Sequence, residues 1–216
     1  MGMDKKQLTL LLQFEYSSKA FNTISPSKLL EKLRRLGFYK SALQWFWSYL
    51  SGCSQCVFTQ STPASFRESI LGIPQGSVLG RLLFCLYMND LRLHLNIARL
   101  LRLLYINDLQ IYIQVPLDLI HHGIHLLSEA SCRVAEWANS NYLKLNAGKI
   151  KAIAFGTCNA IRRFKELQTT SIVINSNGDQ AQFVEEAVRL GFVLDRTVFW
   201  GPHIIHIIKK VNRAQP

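Results

Sequence analysis

The chain is short of acid. Its 216 residues carry 14 Asp and Glu against 25 Lys and Arg, a formal net charge of +11. That balance favours polyanionic partners, nucleic acid first and an anionic membrane surface second. Apolar runs long enough to span a bilayer are absent. The start, MGMDKKQLTLLLQF, lacks the small-residue cleavage site of a signal peptide, and no Ser or Thr follows Met-Gly at the sixth position for myristoylation. The five cysteines are odd in number and lack disulfide-like spacing, which implies a reducing compartment. These absences predict an intracellular protein, nuclear or cytoplasmic, not secreted and without a membrane partner. Zinc is disfavoured too: Cys53 and Cys56 form a CxxC with no second pair, and His121, His122, His203 and His206 have no carboxylate at metal-site spacing. No internal repeat, low-complexity tract or clear linker interrupts the chain.

What is present is a core. Hydrophobic residues make up 49%, enough for one domain or one large subdomain. The positive charge lies in the flanks, from Lys5 to Lys40 and from Lys144 to Arg213, around an apolar middle. QLTLLLQF (7–14) reads as a buried strand. In SPSKLLEKLRRLG (25–37), Ser25 suits a helix cap, Pro26 the first helical position and Gly37 the stop, with Leu29, Leu30, Leu33 and Leu36 on one face. KSALQWFWSYLSG (40–52) reads as a helix capped by Ser41 and stopped by Gly52. QCVFT and FRESI are short strand candidates around a Thr-Pro turn. LGIPQGSVLG (71–80) reads as a Gly-Pro loop before the apolar helix LLFCLYMNDLRLHL. Apolar spacing predicts a helix from Asp118 to Asn139, strands at KAIAFG, SIVIN and AVRLGFVLD, and a closing amphipathic helix at GPHIIHIIKKVNRA. Trp45, Trp47 and Trp200 read as core anchors rather than base-stacking residues. The expected class is α+β, one sheet backed by helices.

LLYINDLQIYI (103–113) has a polar pair, Asn107 and Asp108, between two apolar segments, which reads as a β-hairpin with its turn at the polar residues. Four stretches in order then resemble the reverse transcriptase domain of non-LTR retrotransposons: SKAFNTI (18–24), LGIPQGSVLG, LLYINDLQIYI and NYLKLNAGKIKAIAFG (141–156). RLGFVLDRTVFWGPHI adds a weaker fifth match. The resemblance implies a palm-like subdomain with an antiparallel sheet and a catalytic hairpin. It implies RNA-directed DNA polymerisation with Mg²⁺, dNTP as small-molecule substrate, and RNA/DNA template–primer as partner. It also implies that residues 1–216 are a partial domain, most of the fingers and the thumb missing, with exposed apolar faces around Trp45–Leu50 and Ile204–Ile208.

Polymerisation of this kind uses two metal ions about 3.5–4 Å apart, and Mg²⁺ takes hard oxygen ligands. In the family, one ligand is an Asp in the first motif and another is the third residue of Y-A-D-D. Here the box is Tyr105-Ile106-Asn107-Asp108, so an uncharged amide, Asn107, stands at the principal ligand position and Asp108 remains. In the first motif the ligand position falls at Tyr16, or at Glu15 if a Ser is inserted; neither is Asp, and Asn22 replaces the Asp of A-F-D. Metal binding is therefore expected to be weak or absent, and activity lost by orders of magnitude. By the same resemblance Phe21 is the steric gate, equally a core Phe beside Ala20. Pro74, Gln75 and Gly76 form the template and nucleotide loop, equally a helix-entry turn. Lys149 is the lysine near the leaving pyrophosphate, equally a solvated surface Lys. Arg81 stands where the family usually has Pro, which is expected to loosen that loop. The alternative from a different class is a non-catalytic nucleic-acid-binding protein that uses the basic flanks.

Overall fold

The computed structural model describes residues 7–16, 20–59, 62–63, 65–74, 76–95, 100–105, 108–167, 171–174, 178–189 and 191–214. In chain order the elements are β1 (Gln7–Glu15), α1 (Ala20–Thr23), α2 (Pro26–Arg35), α3 (Lys40–Leu50), β2 (Ser54–Gln55), β3 (Phe58–Thr59), β4 (Thr62–Pro63), β5 (Arg67–Glu68), α4 (Val78–Met88), α5 (Leu91–His94), β6 (Leu100–Tyr105), β7 (Asp108–Pro116), α6 (Ile120–Ser140), β8 (Lys151–Phe155), α7 (Cys158–Glu166), β9 (Ser171–Val173), β10 (Gln180–Gln182), β11 (Glu186–Arg189), β12 (Phe192–Asp195) and α8 (Gly201–Ala214). The fold is α+β, as expected, and divides into two compact units.

The first unit takes the described residues of Met1–Glu15, Asn96–Ala135 and Asn146–Pro216. Its centre is a four-stranded antiparallel sheet in the order β6-β7-β1-β8. In a strand, alternate side chains face opposite sides. Leu8, Leu10, Leu12 and Phe14 of β1 therefore share a face, opposite Val115, Ile113, Ile111 and Leu109 of β7, and all eight are buried. Ala152 and Ala154 of β8 continue that face. Leu127, Ala130 and Val134 of helix α6 are buried in the same unit. At Gly123 the approach is so close that a Cβ would lie 2.8 Å from Val115 Cγ1, so the helix meets the strand where it has no side chain. On the opposite face a smaller cluster of Leu11, Ile153 and Ala187, with Tyr112, Phe155 and Val184 against it, covers part of the sheet.

Around this centre lie two ribbons, β9 with β10 and β11 with β12. The stretch AVRLGFVLD is the second of these, a hairpin turning at Gly191 (φ 85°) rather than one strand. Ser131, buried in α6, donates from Oγ to the Ile174 carbonyl at 3.1 Å, which ties the first ribbon to the helix. Helix α7 was not expected from the sequence. Thr157 caps it, and Lys165 and the buried Arg196 meet at Glu185, 3.0 and 3.2 Å away. Helix α8 has the expected extent, with Ile204, Ile205, Ile207 and Ile208 exposed. Trp200 is 53% exposed against Phe192 and His203, so it is a surface residue and not a core anchor.

The second unit takes the described residues of Tyr16–Leu95 and Glu136–Leu145. Helix α2 follows its sequence signals: Ser25 accepts from the Lys28 amide, Pro26 opens it, and Gly37 (φ 92°) follows its C-cap. Leu29 and Leu33 are buried, whereas Leu36, at the C-cap, is exposed. Helix α3 begins at Lys40 with Tyr39 as an N-cap lacking a side-chain bond, so Ser41 is helical and does not cap. Trp45 and Trp47 are 54% and 51% exposed and are likewise not core anchors, although Leu50 is buried. QCVFT and FRESI contribute to two short ribbons, β2 with β5 and β3 with β4. The helix expected from Leu82 starts at Val78, breaks at Asn89–Asp90 and resumes as α5.

A half-buried cation organises this unit. Lys32 Nζ donates to the Tyr87 carbonyl at 2.7 Å and to Asp90 Oδ1 at 2.8 Å, and lies 4.3 and 4.8 Å from the ring centroids of Tyr87 and Trp137. Trp137 Nε1 donates to the same Asp90 oxygen at 3.1 Å. Burial pushes the Lys32 ammonium down from its ordinary value, and Asp90 opposes that shift. Tyr87, fully buried, donates to the Asn141 carbonyl at 2.9 Å, and its burial pushes the phenol up to about 12.

Two outcomes are expected. Leu12→Ala removes a buried side chain at the middle of the sheet and lowers stability by about 2–5 kcal/mol, whereas Leu101→Ala, at a position 56% exposed, changes it by less than about 0.5 kcal/mol; urea denaturation measures both. The Tyr87 phenol ionises in the unfolded chain near pH 10 but in the folded chain near 12. Its contribution is therefore fully present below pH 10 and is lost as the pH rises from 10 towards 12. The urea midpoint of Tyr87→Phe should fall less over that range than that of the unmodified protein, and an equal fall would remove Tyr87 as a cause.

Candidate functional site

The strand pairing that buries Leu8 to Phe14 presents the odd-numbered residues of β1 on the other face. Glu15 is directly opposite Asp108, the first residue of β7, so the two carboxylates leave the same face of the sheet. Directly opposed residues have Cβ atoms roughly 4.5–5.5 Å apart. Both are half-buried. Asp108 also pairs with Tyr105 across the β6–β7 hairpin, whose connection is Ile106 and Asn107. Asn107 itself lies outside the described residues. Tyr16, the other reading of the first motif, is buried, bridges Leu145, and its hydroxyl has no hydrogen-bond partner among the described residues. Burial pushes its phenol well above the ordinary tyrosine value. Such a group offers no anionic oxygen at neutral pH.

Lys149 meets Glu15 across 134 residues of sequence. Its Nζ donates to Glu15 Oε1 at 2.6 Å. The backbone prepares this contact: the Asn146 amide donates to the Glu15 carbonyl at 3.2 Å, and a 3-10 turn, Ala147–Lys149, carries the lysine back over the strand. The side chains are 51% and 34% exposed, so the pair adds only about 0–1 kcal/mol to stability. Its chemical effect is larger than its energetic one, because an ammonium sits on the carboxylate that a metal would need.

A donor set for two divalent ions requires several anionic oxygens converging on one point. Among the described residues no group of three or more His, Cys, Asp and Glu is arranged to hold a metal ion. Glu15 and Asp108, with Lys149 bound to the first, do not fit that requirement.

In the second unit, Phe21, Pro74, Gly76, Ser77, Val78, Gly80 and Arg81 line one cavity of about 450 Å³. The Ile73 amide donates to the Phe21 carbonyl at 2.9 Å, which seats the loop beside α1. Phe21 is half-buried and stacks on the buried Phe84, ring centroids 4.6 Å apart. Ser77 caps α4: its Oγ accepts from the Gly80 amide at 3.0 Å and donates to the Pro74 carbonyl at 2.8 Å. Gly76 is exposed at φ 80°. Gln75 lies outside the described residues. Arg81, expected to loosen the loop, is helical and exposed in α4, and the cap is intact.

The structure thus brings Glu15, Asp108 and Lys149 together in one unit and Phe21, Pro74 and Gly76 in the other. The Lys149–Glu15 pair was not foreseen. The choice between Glu15 and Tyr16 did have a signal, since Leu8, Leu10, Leu12, Phe14 and Tyr16 share one parity. Lys149→Ala should leave stability within about 1 kcal/mol of the parent while raising Mn²⁺ affinity, measured by titration; Glu15→Gln should cancel the gain. Unchanged Mn²⁺ affinity in Lys149→Ala would show that the lysine does not compete.

Comparison with known proteins is consistent with this geometry. The family model described as reverse transcriptase (RNA-dependent DNA polymerase) matches residues 3–194. Among solved structures, apo telomerase from Candida tropicalis, truncated from its C-terminal domain, is similar at a TM-score of 0.59 and 13% identity, over 88% of this chain and 34% of that one. Telomerase from Candida albicans, in complex with a TWJ fragment of telomeric RNA, is similar at 0.55 and 11% identity, over 90% of this chain and 31% of that one. At these identities the likeness concerns the fold. The chain spans about a third of the length of those telomerase chains. No curated protein matches it. Among the described residues no helix is long and apolar enough to cross a membrane.

Proposed function

Since the chain belongs to the reverse transcriptase family, we propose that it derives from a non-LTR retrotransposon and no longer polymerises DNA at a significant rate. The family uses divalent metal and binds RNA and DNA. The non-LTR reading is supported by SKAFNTI, LGIPQGSVLG, the YIND box and NYLKLNAGKIKAIAFG, in that order. The observation that carries the loss of activity is the Lys149 ammonium 2.6 Å from Glu15, the carboxylate opposite Asp108. In this family phosphoryl transfer depends on positioning and on metal ions that neutralise developing charge. The carboxylates of Asp108 and of the lysine-bound Glu15, with the amide Asn107 in the principal ligand position of the motif, supply too little anionic charge for two Mg²⁺ ions. The residues of the face are thus left with electrostatic roles, Lys149 screening Glu15, and no chemical step is assigned to them.

A second reading, retained nucleic-acid binding, is favoured by the helices that carry basic and no acidic exposed charge. Helix α8 has exposed Lys209, Lys210 and Arg213 and no acidic residue. The N-terminal and C-terminal basic clusters add to it.

Primer extension on a primed RNA template with Mg²⁺ and dNTPs tests the first reading. The expected result is no product above the protein-free control, and sustained extension would sink it. Binding of the same RNA, followed by fluorescence anisotropy, tests the second. Its log affinity should fall linearly with log salt, with a slope of roughly −0.7 per phosphate neutralised on a single strand. A flat salt response is incompatible with binding through the basic flanks.

A further inference from the structure

Helices α2, α7 and α8 are all basic and amphipathic, but two of them bury apolar residues in the core: Leu29 and Leu33 of α2, and Ala160, Ile161 and Phe164 of α7. Helix α8 does not. Its Ile204, Ile207, Ile208 and Val211 are each between 41% and 55% exposed. We propose that α8 lies in the surface of an anionic membrane, these four side chains among the lipid chains and its lysines at the headgroups.

The spacing of the four residues, i, i+3, i+4 and i+7, puts them in one stripe along the helix. The body of the unit holds the other side. The Val193 amide donates to His203 Nδ1 at 3.3 Å, and Pro202, Ile205 and His206 line a groove with Val188 and Val193 of the β11–β12 hairpin. The stripe residues do not line that groove. At about 100° per residue, the stripe is centred roughly opposite Pro202 and His206. It is therefore turned away from the hairpin and open to a flat surface. Trp200 stands one turn before Ile204, its carbonyl accepting from the Ile204 amide at 2.9 Å. A half-exposed indole suits the boundary between headgroups and lipid chains.

Charge then selects the surface. Lys209 and Lys210 fall on either side of the stripe, and Arg213 lies behind it. All three are exposed, α8 has no acidic residue, and among the described residues no ion pair involves it. Lysine stems lie along apolar surface while the ammonium stays at headgroup level. Anionic headgroups attract such groups within a Debye length, about 8 Å at physiological salt. A nucleic acid would meet the basic side and leave four aliphatic side chains in water. A second copy would cover them, but it carries the same +11 charge. The sequence predicted no membrane partner because it lacks a spanning run; a helix that lies in the interface needs none.

The test is co-sedimentation of the full chain with phosphatidylserine–phosphatidylcholine vesicles, against a vesicle-free control. The parent should bind, and should bind phosphatidylcholine alone about tenfold more weakly or worse, at roughly fivefold per basic residue near the surface. Ile204→Gln combined with Ile208→Gln should weaken binding to the anionic vesicles about tenfold or more. It should leave binding of single-stranded RNA, followed by anisotropy, unchanged. Lys209→Gln combined with Lys210→Gln should weaken both. These positions are exposed, and circular dichroism with a melting curve confirms that each variant is folded. No binding of the parent to anionic vesicles, or equal binding by the isoleucine variant, overturns the proposal. Sedimentation velocity without lipid reads the rival occupant. A dimer that the isoleucine variant dissolves, with no vesicle binding, assigns the stripe to a second copy. Loss of RNA binding in that variant, with no vesicle binding, assigns it to nucleic acid.

Discussion

The register of β1 against β7 is the constraint on which the candidate site depends. Leu8, Leu10, Leu12 and Phe14 meet Val115, Ile113, Ile111 and Leu109 on the buried face. Each large apolar side chain so buried contributes about 1.5–3 kcal/mol. A slip of one residue would turn the whole set to the other side of the sheet. The same pairing decides the chemistry at the strand end, because it makes Glu15 the partner of Asp108. The acid pair is thus a by-product of core packing, and its geometry cannot change without a cost to the core.

Two carboxylates directly opposite on a sheet repel each other, and such like-charge pairs are destabilising unless a counter-ion lies between or beside them. A metal ion is one solution. Lys149 is another: the turn after Asn146 brings its ammonium onto Glu15. The two solutions compete at Glu15, where the ammonium occupies Oε1. The pair is half-exposed and weak in stability terms, so it does not hold the fold together. It lowers the charge that a divalent ion would find, which is the quantity that matters for binding one.

Most of the fold was legible because its elements carry local signals. Strand β1, helix α2 with its Ser25 cap, the hairpin around Asn107 and helix α8 were all readable from alternation, helical spacing or turn residues. What was missed depended on distant contacts. Helix α7 is short, and its Lys165 and the buried Arg196 are brought together by Glu185, which no local window reveals. Ser41 is a residue type that caps helices, but the N-cap is Tyr39, two residues earlier. Helical and strand spacing predicts core positions for Trp45, Trp47 and Trp200, yet all three residues are about half exposed. Of the candidate site, the parity of β1 was sufficient to prefer Glu15 to Tyr16 and was not used. The partner of Glu15 could not be read at all, since Lys149 is 134 residues away.

The motifs that made the resemblance visible are also those with structural duties. In LGIPQGSVLG, Gly72 sits at φ 102° with a would-be Cβ 3.0 Å from Asn22 Cα, Ser77 caps α4, and a Cβ at Gly80 would crowd the Ser77 hydroxyl. In SKAFN, Ala20 is buried and Phe21 stacks on Phe84. Replacing any of these disturbs packing or a cap. A carboxylate at the end of β1 has no such duty: Glu15 is half-buried and its side chain pairs with the exposed Lys149. Loss of the metal-ligating pattern therefore costs the fold little, while loss of the loop pattern costs it directly. A chain of this kind keeps the outline of its family whether or not the metal-ligating pattern is kept. By the same reasoning the surviving loop sequence is evidence for the fold.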